Sequence, residues 1–485
     1  MRRGRGPLSG GDVAYLVGTL LLGVAGVLGL TTVAGLTFRD GSAGPLALSA
    51  AVAAGVGLAC RRSRVVPEDI NFREAFATVS FSWASVGVVG ALPYLLSGAI
   101  GSPAGALFES VSGFTTTGST VLADIEAVAP GILLWRSATQ WLGGMGFIVL
   151  GVAILPYLGV GGMQLFRLEA PGPTADRLQP RIRETAKMLW VVYAALTVAI
   201  GVLYVLGGMS VYDAVNHALT TMPTGGFSTR GESMGAFSPY IQWVCIVFMY
   251  LAGTSFTLHY RTLQRGPRAY FRDTEWRLYT GIIVAGALAV ILLTRGREVP
   301  VEQLVRDSAF QVVSIVTTTG YGTSDFALWV PGAQLVLFLL FFLGGMAGST
   351  AGGMKMVRVL LVLKHSWLEI RKQLHPRAVF VPKVGGKPVR EDVMLNVLGF
   401  MLIYMMLFGL GAVAMAALGL SLPAAAGAAA TAISNVGPGL AELGPVENFG
   451  ALPWQGHLIL TFLMMVGRLE IYTVILLFHP QLWRR

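Results

Sequence analysis

Ten apolar stretches, each long enough to cross a bilayer, dominate the chain. A spanning helix needs about 20 such residues, and the stretches lie near 13–36, 43–60, 75–98, 132–158, 187–208, 238–260, 277–294, 330–364, 394–420 and 455–478. Helices are expected throughout, because lipid offers no partners to backbone polar groups and only helices or closed barrels supply their own. Only 12% of the 485 residues are charged and 54% are hydrophobic, whereas a soluble chain carries roughly 25% charged residues. That excludes a string of soluble domains, and it excludes disorder. The 62 glycines follow no collagen period and suit closely packed membrane helices. The two cysteines, Cys60 and Cys245, cannot build a disulfide framework or a zinc cluster. Arg2, Arg3 and Arg5 before the first stretch resemble the start of a signal peptide. The apolar run is too long for one and no clear cleavage site follows, so a retained helix is expected.

Lys and Arg orient the chain. Alternate loops hold Arg61, Arg62, Arg64 and Arg73; Arg167, Arg177, Arg181, Arg183 and Lys187; Arg261, Arg265, Arg268, Arg272 and Arg277; and nine more from Lys355 to Arg390. With both termini this side has 28 basic residues, against six on the other: Arg39, Arg136, Arg230, Arg295, Arg297 and Arg306. The basic side is therefore expected in the cytoplasm, with both termini inside. Twelve acids fall on each side, giving +16 inside and −6 outside, with Arg468 and Glu470 inside the last span. The net charge of +10 thus reflects topology, not nucleic-acid binding. A negative outer face concentrates cations, although acids in outer loops are also simply free of topological constraint.

Four shorter outer segments end in polar, glycine-containing tracts: FESVSGFTTTGS at 108–119, VNHALTTMPTGG at 215–226, FQVVSIVTTTGY at 310–321 and GAAATAISNVGP at 427–438. Alignment on one glycine marks Gly118, Gly225, Gly320 and Gly437, preceded at nine residues by Glu109, Asn216, Gln311 and Ala428. One tract alone reads as a turn, but four at the same place define a repeat of outer helix, short re-entrant helix, glycine loop and inner helix. Internal repeats in membrane proteins place the site at their shared axis. The expected organisation is an N-terminal helix pair at 1–66 and pore repeats at 67–180, 181–270, 271–385 and 386–485. Irregular backbone at membrane depth must be buried or line a wet cavity. Four such loops around an axis can stack carbonyl rings that replace a cation's hydration shell, and TTGYG at 318–322 comes close to the TVGYG tract of potassium channels. The candidate ion ligands are the carbonyls of Thr116, Thr117, Gly118, Pro223, Thr224, Gly225, Thr318, Thr319, Gly320, Asn435, Val436 and Gly437, with potassium held by carbonyls and no ligand carboxylate.

After the apolar run 333–343 comes GGMAGSTAGGMK, whose Gly344, Gly345, Gly348, Gly352 and Gly353 each cost a helix about 1 kcal/mol against alanine. A broken helix is expected, whose loop, with Ser349, Thr350 and Lys355, could block the path below the carbonyl rings. A close seam of small residues is the alternative. Arg468 lies mid-span, where a charge marks function by default. Glu470 is two residues away and off its helical face, so Arg468 faces the pore or caps carbonyls of the 344–355 loop.

The sequence resembles the TrkH/TrkG type of bacterial potassium-uptake proteins in the Trk/Ktr/HKT superfamily. The resemblance spans the chain and is most specific at SGFTTTGST (112–120), MPTGGFST (222–229), VTTTGYGTSDF (316–326), ISNVGPGL (433–440), GGMAGSTAGGMK (344–355) and MVGRLEIYTV (465–474). It implies an all-α membrane protein with four pseudo-repeats around one pore, plus the N-terminal hairpin. It implies potassium selectivity from Gly118, which is serine in some sodium-conducting relatives, a gate at 344–355, and an arginine, Arg468, beneath the filter. It also implies the bacterial inner membrane, a homodimer, and a cytosolic TrkA-type ring that binds ATP, ADP or NAD. The fourth tract departs most from the other three, with Asn435 and Val436 where the rest have mainly threonine.

No phosphate-binding loop, dinucleotide fingerprint, HExxH or metal-ligand histidine spacing occurs, and the longest inner stretch, about 365–393, is too short for a nucleotide domain. The chain is not expected to be an enzyme or to hold a cofactor. The competing reading is a proton- or sodium-coupled symporter; a scaffold with a degenerate pore is disfavoured by four intact glycine loops.

Overall fold

The computed structural model describes residues 10–62, 72–153, 178–378 and 380–483. Arg2, Arg3, Arg5, Arg64, Arg167, Arg177, Arg484 and Arg485, the expected boundary at 66/67 and the end of the 132–158 stretch lie outside the described residues. Among the described residues six helices are long and apolar enough to cross a membrane, and eight if two bent pairs are each one span. The ten expected stretches correspond to these eight, to α5 below, and to a stretch interrupted by a loop. The sole sheet among the described residues is a two-stranded hairpin, Lys383–Val384 with Lys387–Pro388. The chain is an all-α membrane protein.

The hairpin of α1 (Gly10–Phe38) and α2 (Ala43–Arg61) packs its small residues together. A Cβ on Gly18 would lie 2.6 Å from the Gly57 carbonyl oxygen, so the two backbones touch. Helix α1 also packs on α3 (Phe72–Leu96) and α5 (Pro130–Ala153).

A short, largely buried helix leads into each of the four glycine tracts: α4 (Pro103–Phe114), α7 (Val211–Thr221), α12 (Val301–Val316) and α16 (Leu422–Ser434). Ser102, Ser210 and Ser421 cap three of these, each side chain accepting a backbone N–H of the first turn, which satisfies an otherwise orphan donor. The following helices open on proline, where the missing N–H costs nothing: α5 at Pro130, α8 (Pro239–Ala252), α13 (Pro331–Phe341), and α17 (Trp454–Arg468) directly after Pro453. The long helices α6 (Leu178–Leu206), α11 (Thr274–Thr294) and α15 (Glu391–Ala417) precede the second to fourth of these short helices.

Three of the inner spans are not continuous. Helix α8 meets α9 (Phe256–Arg265) at 94°, and α17 meets the segment Tyr472–Phe478 at 111°. Helix α13 ends at Phe341, and α14 (Met356–Leu374) begins after a non-helical segment, as the glycine run predicts. The bends at 253–255 and 469–471 are departures from the continuous spans expected near 238–260 and 455–478. The short helix α10 (Arg268–Arg272) links α9 to α11.

Four of the six arginines expected on the outer face are paired. Arg136 meets Glu109 at 2.6 Å, Arg230 meets Asp213 at 2.9 Å, Arg297 meets Asp307 at 3.6 Å, and Arg306 meets Glu302. Asp124, Glu126, Glu232, Glu298, Glu442 and Glu447 stay exposed and carry the negative balance.

Candidate functional site

The four tracts share one backbone trace. Thr116, Thr224, Thr318 and Asn435 all adopt left-handed φ, between 53° and 56°. This is an outlier for threonine and tolerable for asparagine, so Asn435 is the least strained residue of the set. In every loop this residue donates to the carbonyl three residues back, and its successor to the carbonyl five back: Thr117 to Ser112, Gly225 to Thr220, Thr319 to Ser314 and Val436 to Thr431. A left-handed glycine follows, namely Gly118, Gly226, Gly320 and Gly437. The second loop is therefore shifted one residue from the expected register. Gly226, not Gly225, matches the other three glycines. Gly225 is equivalent to Thr117, and Pro223 falls one position deeper. Phe227 and Thr229, one and three residues after Gly226, match Tyr321 and Thr323 after Gly320. That spacing was the available signal, hidden by the glycine doublet. The residue nine before the glycine in this repeat becomes His217.

The loops close into a ring. A Cβ on Gly118 would lie 2.2 Å from the Gly225 carbonyl oxygen, one on Gly226 1.9 Å from that of Thr319, one on Gly320 2.0 Å from that of Val436, and one on Gly437 2.9 Å from that of Thr117. Each loop thus abuts the next, and the fourth returns to the first. Ser119 Oγ also donates to Gly437 O at 2.6 Å, tying the last loop to the first.

Buried polar groups hold the chain beyond the glycines. Glu109 accepts from Thr120 Oγ1 at 2.9 Å and Val121 N at 2.8 Å. His217 Nε2 pairs with Ser228 Oγ at 2.9 Å, and Gln311 Nε2 donates to Ser324 O at 3.1 Å. Ala428, the fourth equivalent, has no polar group to offer. Arg136 on α5 joins two loops: it pairs with Glu109, donates to Ser228 O at 3.0 Å, and stacks 3.5 Å over the Phe227 ring. Removing one partner of a buried pair costs about 3–5 kcal/mol. Arg136→Met is therefore expected to lower the melting temperature of the purified protein markedly. An unchanged melting curve would show that the pair braces nothing.

The segment 342–355 lies against this ring at the ends of the short helices that lead into it. Gly352 N donates to Thr318 Oγ1 at 2.6 Å, and a Cβ on Gly352 would sit 2.5 Å from Ser434 O. Thr350 Oγ1 donates to Met222 O at 3.0 Å, just before the second loop. The segment thus touches three of the four loops or their bases. Arg468, almost fully buried, donates from Nη1 to Thr350 O at 2.8 Å, so of its two expected placements it takes the capping one. Lys355 Nζ donates to Ala351 O, and Ser349 Oγ to Met346 O. Gly348 and Gly353 take left-handed φ, which supports a turn in the middle of the segment and a bend near its end. Gly344 meets Gly352 O, and Gly345 meets Gly253 O, too closely for a side chain. Elsewhere along the segment Glu275 Oε1 accepts Ala347 N at 2.7 Å, Gly253 O accepts Met346 N at 2.9 Å, and Gly348 O accepts Phe256 N at 3.0 Å. The last two bonds fall at the α8–α9 bend.

The family model described as TrkH, cation transport protein, matches residues 46–485. The chain belongs to the TrkH family. Within this family, a Trk system potassium uptake protein TrkH of Halomonas elongata is 40% identical over 457 residues, covering 93% of this chain and 94% of that protein. The TrkH of Escherichia coli K12 is 37% identical over 482 residues, covering 97% and 99%. The crystal structure of the potassium transporter TrkH from Vibrio parahaemolyticus superposes with a TM-score of 0.90 at 36% identity, covering 98% of this chain and 99% of that one.

The expected site residues of this TrkH-family chain fall in the four loops, in the 342–355 segment, and at Arg468 of α17, which bonds to that segment. Sequence reasoning missed their supports. Glu470 pairs with Arg358 of α14, whose guanidinium lies 3.9 Å from the centre of the Phe400 ring. Glu275 and Arg136 were counted only as loop charges. Each of these partners is far away in the chain, and no local spacing announces it.

Proposed function

We propose that the chain carries potassium across the bacterial inner membrane through a single-chain, channel-like pore. The four glycine loops form its carbonyl filter and the 344–355 segment its intramembrane gate. The observation that carries this reading is the closure of the four loops into a ring with a common backbone trace. Such a ring presents successive carbonyl oxygens in place of a hydration shell, and no loop residue from 115–118, 223–226, 317–320 or 434–437 is ionisable. The names of the relatives support potassium as the ion. The exposed outer acids raise the local cation concentration at the entrance. The segment beneath the ring blocks the inner exit in the form described, and Arg468 holds it there. Both termini lie in the cytoplasm, and a homodimer gated by a cytosolic, nucleotide-binding TrkA-type ring completes the system. Potassium flux in liposomes holding the purified protein is expected to cease at the Nernst potential at fixed pH without sodium. A reversal that moves with the proton or sodium gradient would instead establish the coupled symporter.

A further inference from the structure

We propose that Gln140 of α5 is a positioning residue that sets the geometry of the second filter loop and thereby ion selectivity. This rests on the carbonyl-filter reading. Loops one and three carry a clasp of two threonines behind the carbonyl ring: Thr115 Oγ1 meets Thr117 Oγ1 at 2.7 Å, and Thr317 Oγ1 meets Thr319 Oγ1 at 2.7 Å. The fourth loop is held differently, with Asn435 Nδ2 donating to Thr117 Oγ1 and to Met464 O, both at 2.9 Å. The second loop has Pro223 and Gly225 at the clasp positions and can make no clasp of its own.

Gln140 takes that place from outside the loop. Its Nε2 donates to Gly225 O at 2.7 Å, and its Oε1 accepts Phe227 N at 3.1 Å. The one amide therefore grips the chain on both sides of the left-handed Gly226. Gln140 is fully buried, where each lost bond leaves an unsatisfied group. Its amide also fills the space of the missing side chain. The three atoms nearest to a Cβ on Gly225 are Gln140 Cδ and Oε1 at 2.4 Å and Nε2 at 2.8 Å. Gly225 has no left-handed φ, so its backbone admits a side chain once that space is vacated. The same Gly225 oxygen abuts Gly118, so a displaced second loop also disturbs the first.

The test uses the full chain in liposomes with potassium and sodium on opposite sides. Gln140→Leu, similar in size but without the two bonds, is expected to lower the potassium-over-sodium permeability ratio at least threefold while potassium still passes. Gln140→Glu keeps the acceptor for Phe227 N but loses the donor to Gly225 O, and should lower the ratio too; it reads the inference if the leucine variant fails to fold. Gly225→Thr should lose selectivity, and Gln140→Ala combined with Gly225→Thr should recover part of it. A wild-type ratio in folded Gln140→Leu or Gln140→Glu, with Gly118→Ser still lowering it, overturns the inference and leaves the filter reading standing. A wild-type ratio in all three, Gly118→Ser included, overturns both.

Discussion

Gly118→Ser is expected to lower the preference for potassium over sodium by roughly an order of magnitude, a change of about 1.4 kcal/mol. Two effects combine. Gly118 has a φ of +88°, a region that costs a side-chain-bearing residue about 1–2 kcal/mol. The added Cβ would also stand 2.2 Å from the Gly225 carbonyl oxygen, which must move. Selectivity depends on the number and field strength of the coordinating carbonyls, so a displaced oxygen weakens the discrimination. The register seen in the second loop extends the prediction. Gly226→Ser should resemble Gly118→Ser, because its Cβ would meet Thr319 O at 1.9 Å. The assay is rubidium uptake competed by sodium or potassium. An unchanged competition profile in both variants would remove these glycines from the filter.

Deleting 346–352 should raise potassium flux without a regulatory partner by roughly tenfold or more. In the form described, Thr350 bonds to Met222, Gly352 to Thr318, Arg468 to Thr350 and Glu275 to Ala347. A hydrogen bond contributes about 0.5–1.5 kcal/mol net, so four together favour the blocked form by roughly 2–6 kcal/mol. Even the lower figure shifts a two-state population about thirtyfold. Tracer uptake into liposomes reads the change. Equal or absent flux from a deletion variant that stays folded would contradict the gate.

The spans were legible because lipid forces long apolar helices, and the loops because one chemistry recurs four times. The second loop slipped by a residue because Gly225 and Gly226 satisfy a glycine alignment equally, and only the aromatic and threonine beyond them fix the choice. The interruption at 342–355 was legible from its glycine content. The bend at 253–255 was less so, because its free carbonyl at Gly253 is satisfied by Met346, almost a hundred residues on. Helix α17 ends at Arg468 and Glu470 lies in the bend beyond it with a left-handed φ of 62°, so the argument from helical faces does not apply to this pair; Arg358 as the partner of Glu470 depends on how α14 meets the segment after α17. Gln140 was invisible for the same reason: a buried glutamine in an apolar helix gains meaning only from the loop beside it.

The most direct test is the bi-ionic reversal potential of the reconstituted protein, with potassium on one side and sodium on the other, measured with and without a TrkA-type partner and ATP. A reversal potential close to the potassium equilibrium value, with the partner changing the size of the current but not its reversal, is the predicted result. A reversal near zero, or one set by sodium or protons, would contradict a potassium-selective carbonyl filter.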